Sequence, residues 1–188
     1  SLLPFFSALA RTCFPVAYLV IIGVALLFEA AGMHKISLYA PFSLPHDLHR
    51  VLYLDPDILV INPLRPLWEA DMKGNLFAGA AHTGKTELAN NINQLRLGTN
   101  HPYFNSGVLL MDLDRGRKEI SADIIFDYTR KHAKELLLPD QDVLNAMYGA
   151  RILEIDDSIW NYDARNYNNY LLRTMGKCDM NWVMANTV

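Results

Sequence analysis

The stretch RVLYLDPDILVI, residues 50–61, places the apolar run Val51-Leu52-Tyr53-Leu54 directly before two carboxylates, Asp55 and Asp57. A run this apolar reads as a buried strand. Two acids at its end must be solvated, be paired, or hold a cation. Outward from it, short apolar runs alternate with helical patterns. Strands are predicted at 50–54, 58–61, 76–81, 107–113 and 151–155, and helices at 65–72, 85–96, 114–134, 141–148 and 164–175. Pro66 suits a first helical turn, where a missing N–H costs nothing. Asp114 is the expected cap of a helix whose Ile120, Ile124, Ile125 and Tyr128 would share one face. The alternation implies an α/β layered domain with a largely parallel sheet, and in such sheets ligands gather at the carboxyl ends of the strands. Asp55 and Asp57 stand at one such end, which favours a ligand role over a merely solvated pair.

A chain of 188 residues, 51% hydrophobic, fits one domain with a full core. A net charge of -3 and a pI near 6.0 give no basic footprint, which argues against nucleic acid as a partner. The two cysteines, Cys13 and Cys178, make neither a disulfide framework nor a zinc set. Residues 12–28 carry no charge, but Pro15 and Gly23 interrupt them. The run is shorter than the ~20 residues of a spanning helix and longer than the ~7–15 of a signal-peptide core. It reads as a membrane-associating or signal-like segment, as a buried helix, or as sequence foreign to the fold. Composition changes near Gly32 and Met33, dividing the chain into an apolar segment, 1–32, and a mixed domain, 33–188.

Three chemistries begin with D-x-D. A calcium loop would need Gly at its sixth position and Glu at its twelfth, where this chain has Val60 and Pro66. An aspartyl-nucleophile phosphatase would carry a small hydroxyl residue where Leu59 stands. The third is cation binding: two carboxylates one residue apart offer hard oxygen ligands to Mn²⁺ or Mg²⁺, which can bridge the phosphates of a nucleoside diphosphate. A competing signal is GAAHTGKT, residues 79–86, which matches the phosphate-binding pattern G-x-x-x-x-G-K-[ST]. Its preceding strand is weak, and the gap from Thr86 to Val108 scarcely holds a helix and a return strand. Lys85 otherwise reads as a solvated surface lysine.

Two further segments join the first: YFNSGVLLMDLDRGR (103–117) and LLPDQDVLNAMYGARILEIDDSIWNYDARNY (137–167). With RVLYLDPDILVINPLRPLWEADM (50–72) they give D-x-D, N-[SA]-G and D-Q-D in that order. The chain, from about residue 38 to 188, thereby resembles the family 8 glycosyltransferases, the bacterial lipopolysaccharide-type sugar transferases and glycogenin relatives. The resemblance implies a GT-A fold with a mixed sheet edge, a UDP-sugar donor, a saccharide or glycolipid acceptor, Mn²⁺ (or Mg²⁺), and hexosyl transfer with retention. It implies a cytoplasmic protein, or one at the inner membrane face through 12–28. It assigns Asp55 and Asp57 to the metal, and Asp55, Asn105, Ser106 and Asp142 to the donor. Asp140 would bond sugar hydroxyls, and Gln141 would lie beneath the anomeric carbon. A neutral amide cannot readily attack that carbon, so Gln141 favours same-face attack by the acceptor. Simpler readings stand beside these: Asn105 as a turn residue, Asp140 as a helix cap after a Pro139 that ends the preceding segment, and Trp160 as core. Trp160, Asn161 and Tyr162 resemble the family's buried turn near the donor.

The chain also departs from the family. No uracil-gripping first strand is recognisable before Met33, Ser37 stands where an Arg is usual, and the sequence given ends at MNWVMANTV, before the family's His- and Lys-bearing segment. Weak UDP-sugar binding by this stretch alone is the resulting expectation.

Overall fold

A computed structural model describes residues 36–55, 57–81 and 87–188. The apolar segment 12–28 and residues 82–86 of the GAAHTGKT stretch lie outside the described residues. The elements run α1 (Ile36–Ser43), β1 (Arg50–Leu54), α2 (Arg65–Trp68), β2 (Phe77–Ala81), α3 (Glu87–Leu97), β3 (Phe104–Asp112), α4 (Leu113–Glu119), α5 (Ala122–His132), α6 (Pro139–Tyr148), β4 (Ile152–Ile155), α7 (Asp157–Trp160), α8 (Tyr167–Arg173) and α9 (Met180–Asn186). Single 3₁₀ turns at Gly149–Arg151 and Ala164–Asn166 link α6 to β4 and precede α8.

The four strands form one sheet in the order β1-β3-β2-β4. β3 runs antiparallel to both β1 and β2, and only β2 and β4 pair in parallel. The sheet is therefore mixed, not largely parallel. The carboxyl-end rule survives in altered form. β1, β2 and β4 point the same way, so their carboxyl ends share an edge with the amino end of the reversed β3. Leu54 of β1 faces Val108 of β3 across that edge.

Side-chain alternation feeds two cores, which is why Val51–Leu54 of β1 and Val108–Met111 of β3 are apolar runs. Val51, Phe77, Leu109 and Met111 pack on one face with Leu38, Ile120, Ile125, Val143 and Leu144 of the helical layer. Leu52, Leu54, Ala78, Val108 and Leu110 pack on the other with Leu67, Met72 and the partly buried Trp160. Each buried Val, Leu, Ile, Phe or Met side chain contributes ~1.5–3 kcal/mol relative to exposure.

Several sequence expectations are corrected. Residues 58–61 form no strand: Ile58 N–H turns back to the Asp55 carbonyl, and Leu59 is 79% exposed. The helix expected at 114–134 is two helices. Ile120 is extended (φ -94, ψ 140), and Ser121 restarts the chain by accepting from Ile124 N–H. Asp112, not Asp114, caps α4 through Arg115 N–H, and Ile124 points outward while Ile125 is buried. Pro139 opens α6 at its first turn and does not end the preceding segment, and Asp140 lies inside that turn, with Leu138 at the cap position.

Candidate active site

The Asp55 N–H donates to the Gly107 carbonyl at 2.8 Å, so the ladder between β1 and β3 carries the acid onto the shared edge. Tyr53, two residues earlier, donates its hydroxyl to Asp55 Oδ1 at 2.7 Å. Burial raises the Tyr53 pKa first; the hydrogen bond to Asp55 and the charges of Asp55, Asp140 and Asp57 raise it further. Three carboxylates, Asp55, Asp57 and Asp140, thus lie within electrostatic range of one hydroxyl. Asp57 is exposed and Asp55 half-buried.

The glycine of the N-S-G motif has a steric cause. A Cβ at Gly107 would lie 2.9 Å from Asn105 Oδ1 and 3.0 Å from Asp55 Oδ2. Gly107 lacks the positive φ that marks other glycines of the chain, so space and not backbone conformation requires it. Asn105 Oδ1 accepts from Gly107 N–H at 2.7 Å and from Asn161 Nδ2 at 2.8 Å. Its own Nδ2 donates to Gln141 Oε1 at 3.1 Å, and Ser106 N–H donates to that same oxygen at 3.3 Å. Asp55, Asn105, Ser106 and Gln141 are thus brought together, with Asn161 joined to them from the segment after β4.

Asp142 is placed elsewhere. It is fully buried, and its Oδ1 accepts from Arg96 Nη2 at 2.6 Å and Tyr103 Oη at 2.6 Å. Its Oδ2 accepts from Arg96 Nη1 at 2.9 Å and from the N–H groups of Leu137 and Leu138 at 2.7 and 3.1 Å. Burial alone would push its pKa up, but the Arg96 guanidinium, the Tyr103 hydroxyl and the two backbone donors together hold it below the usual carboxylate range. A buried, fully bonded anion of this kind fastens α6 to α3 and to Tyr103, the residue before β3.

Sequence reading missed four contributors. Tyr53 looked like one more apolar strand residue, and Tyr103 and Arg96 carried no motif of their own. Asn145 is buried and clasps the start of β3: its Oδ1 accepts from Phe104 N–H at 2.7 Å, and its Nδ2 donates to the Phe104 carbonyl at 2.8 Å and to the Gln141 carbonyl at 2.7 Å. A polar residue four after Gln141 on an otherwise apolar helix face was the signal available in the sequence.

The donor set around Asp55 and Asp57 suits a hard divalent cation. Mg²⁺-type ions are commonly held by one or two carboxylates and take their remaining ligands from water and phosphate. Among the described residues, no group of three or more His, Cys, Asp or Glu side chains gathers at metal-binding spacing, and no helix is long and apolar enough to cross a membrane. Gly79, first residue of the GAAHTGKT stretch, lies inside β2, paired with Leu109 and Glu154. A Cβ there would come within 2.9 Å of Leu109 Cδ2, so its small size serves sheet packing.

A family model described as "Glycosyl transferase family 8" matches residues 35–183. General stress protein A of Bacillus subtilis (strain 168) is 30% identical over 129 residues, covering 68% of this chain and 43% of that protein. The chain thus spans less than half of that relative's length. A crystal structure of an active-site glutamine-to-glutamate mutant of LgtC is 25% identical with a TM-score of 0.58, over 65% of this chain and 44% of that one. The galactosyltransferase LgtC in complex with donor and acceptor sugar analogues is 23% identical with a TM-score of 0.63, over 83% and 55% of the two chains, a likeness of fold. With a GT-A-type sheet and a family match over most of its length, this chain belongs to glycosyl transferase family 8.

Proposed function

We propose that the protein transfers a hexosyl group from a UDP-sugar to a saccharide or glycolipid acceptor, with retention at the anomeric carbon and with Mn²⁺ or Mg²⁺. One observation carries the reading: a single hydrogen-bonded cluster, closed around Gly107, gathers Asn105 and Gln141 beside the Asp55 carboxylate. Asp55 and Asp57 are the residues that would hold the cation. When bound, the cation supplies positive charge against the diphosphate, which these carboxylates would otherwise repel. Asp140, within electrostatic range of the Tyr53 hydroxyl beside Asp55, is suited to sugar hydroxyls.

In the reaction the bond between the anomeric carbon and the diphosphate oxygen breaks, a bond from that carbon to the acceptor hydroxyl forms on the same face, and the acceptor proton passes to the departing diphosphate. Gln141 offers an amide and no carboxylate to the opposite face, which disfavours a covalent sugar–enzyme species. The active-site glutamine of LgtC supports giving this role to Gln141. Asn105, Ser106 and Asn161 hold that amide in place. In this reading the buried Asp142 anchors α6. In this reading residues 33–188 form the transferase core, and 1–32 a separate segment.

The test is donor turnover by the purified full protein across a panel of UDP-hexoses with Mn²⁺, with and without acceptor saccharides, followed by NMR of the product anomer. Release of UDP coupled to a product of inverted configuration, or turnover unaffected by Asp55→Asn, would overturn it.

A further inference from the structure

Asp55 is held on three sides. Its N–H donates to the Gly107 carbonyl at 2.8 Å, and its Oδ1 accepts the Tyr53 hydroxyl at 2.7 Å. Its Oδ2 lies 3.0 Å from where a Cβ on Gly107 would stand, so that oxygen rests against bare backbone. Among the described residues no hydrogen-bond donor reaches Oδ2. Tyr53 has one proton to give and an ionised carboxylate can only accept, so the direction of their bond is set. Tyr53 and Asp55 stand two residues apart on an extended chain, which turns both side chains to one face of the sheet. The Tyr53 ring is partly buried and packs against the core that joins the sheet to the helical layer. The donor that grips Asp55 is therefore mounted on a packed ring and is no loose surface hydroxyl.

We propose that Tyr53 is a positioning residue for cation selection: it immobilises the Asp55 carboxylate through Oδ1, leaves Oδ2 as the unengaged oxygen, and so biases the site toward Mn²⁺ or Mg²⁺ and against Ca²⁺. The inference rests on the cation half of the reading above, and not on the sugar, the acceptor or the stereochemistry. Its physical basis is a difference in tolerance. Mg²⁺ demands near-ideal octahedral geometry, and Mn²⁺ shares that preference for octahedral oxygen sites, so a carboxylate fixed in one orientation suits both. Ca²⁺ takes about 6–8 oxygens in flexible geometry and often both oxygens of one carboxylate, which a carboxylate tied at Oδ1 is poorly placed to give. Hydrogen-bond partners of metal ligands typically carry ~10–100-fold in metal affinity. The simpler account, a half-buried tyrosine that merely finds an acceptor, predicts no change in cation preference when the hydroxyl is removed.

The experiment uses the full protein and reads binding, not turnover. Mn²⁺ and Ca²⁺ are titrated separately by calorimetry in the presence of UDP, for the parent and for Tyr53→Phe, which keeps the packed ring and removes only the hydroxyl. The parent is expected to bind Mn²⁺ more tightly than Ca²⁺. Tyr53→Phe is expected to weaken Mn²⁺ binding about tenfold and Ca²⁺ binding by less than about threefold, so the preference shrinks. A preference for Mn²⁺ over Ca²⁺ that stays within about twofold of the parent's, whether both affinities fall together or neither moves, would overturn the role of Tyr53 while leaving the cation reading of Asp55 and Asp57 standing. A parent that binds Ca²⁺ as tightly as Mn²⁺ would overturn it without recourse to the variant. A parent that binds neither cation would bring down the cation reading and this inference together.

Discussion

Replacing Gly107 by alanine tests the steric reading of the N-S-G motif through the sign of its effect. The new methyl would stand 2.9 Å from Asn105 Oδ1 and 3.0 Å from Asp55 Oδ2, against roughly 3.4 Å for ordinary contact, so both groups must retreat by about half an ångström. Neither is free to do so without loss. Asn105 Oδ1 holds bonds of 2.7 and 2.8 Å to Gly107 N–H and Asn161, and Asp55 is tethered by Tyr53 at 2.7 Å. Overpacking costs ~1–3 kcal/mol and a weakened hydrogen bond ~0.5–1.5 kcal/mol, so a net destabilisation of about 2–3 kcal/mol is expected. In urea, with a slope of ~1–3 kcal/mol/M, the unfolding midpoint should fall by about 1 M or more. Without these contacts the same substitution would reduce unfolded-chain entropy and stabilise by ~0.4–1 kcal/mol. A Gly107→Ala protein as stable as its parent, or more so, would refute the account of the motif.

Asn145→Ala leaves the Phe104 N–H and the Phe104 and Gln141 carbonyls without their partner, and should destabilise by ~2–4 kcal/mol in denaturant titration. Asp142, held below the usual carboxylate range, contributes stability that is fully present above the unfolded pKa of ~3.9 and is lost as pH falls through the lower folded value. Asp142→Asn should therefore cost ~3–5 kcal/mol at neutral pH and flatten the acid limb of the stability curve below about pH 4, measured by unfolding at a series of pH values. Lys85→Ala should leave UDP and ATP binding unchanged in equilibrium titration, since Gly79 belongs to a strand interior.

The sequence revealed β1, β2 and β4 because each is a short, mostly apolar run, and D-x-D, N-S-G and D-Q-D marked the candidate residues Asp55, Asn105, Ser106 and Gln141 that the fold gathers. Periodicity could not show strand direction. Nothing within 104–112 says that β3 enters between β1 and β2 running against both, which is a property of the connections. Residues 58–61 misled because Ile58-Leu59-Val60-Ile61 has strand composition, yet the turn after Asp55 carries it to the surface. The burial of Asp142 was not legible either, although on a helix two residues separate by about 200°, so Asp140 and Asp142 cannot share a face. Arg96 and Tyr103, its partners, are distant in sequence and carry no pattern.

The central claim is that Asp55 and Asp57 bind a nucleoside diphosphate through a divalent cation. Calorimetry of UDP binding to the full protein, with Mn²⁺ and with chelator, measures this directly. The account predicts binding that requires Mn²⁺ and is abolished in Asp55→Asn and Asp57→Asn. UDP binding of equal strength with chelator, unchanged by either substitution, would contradict it.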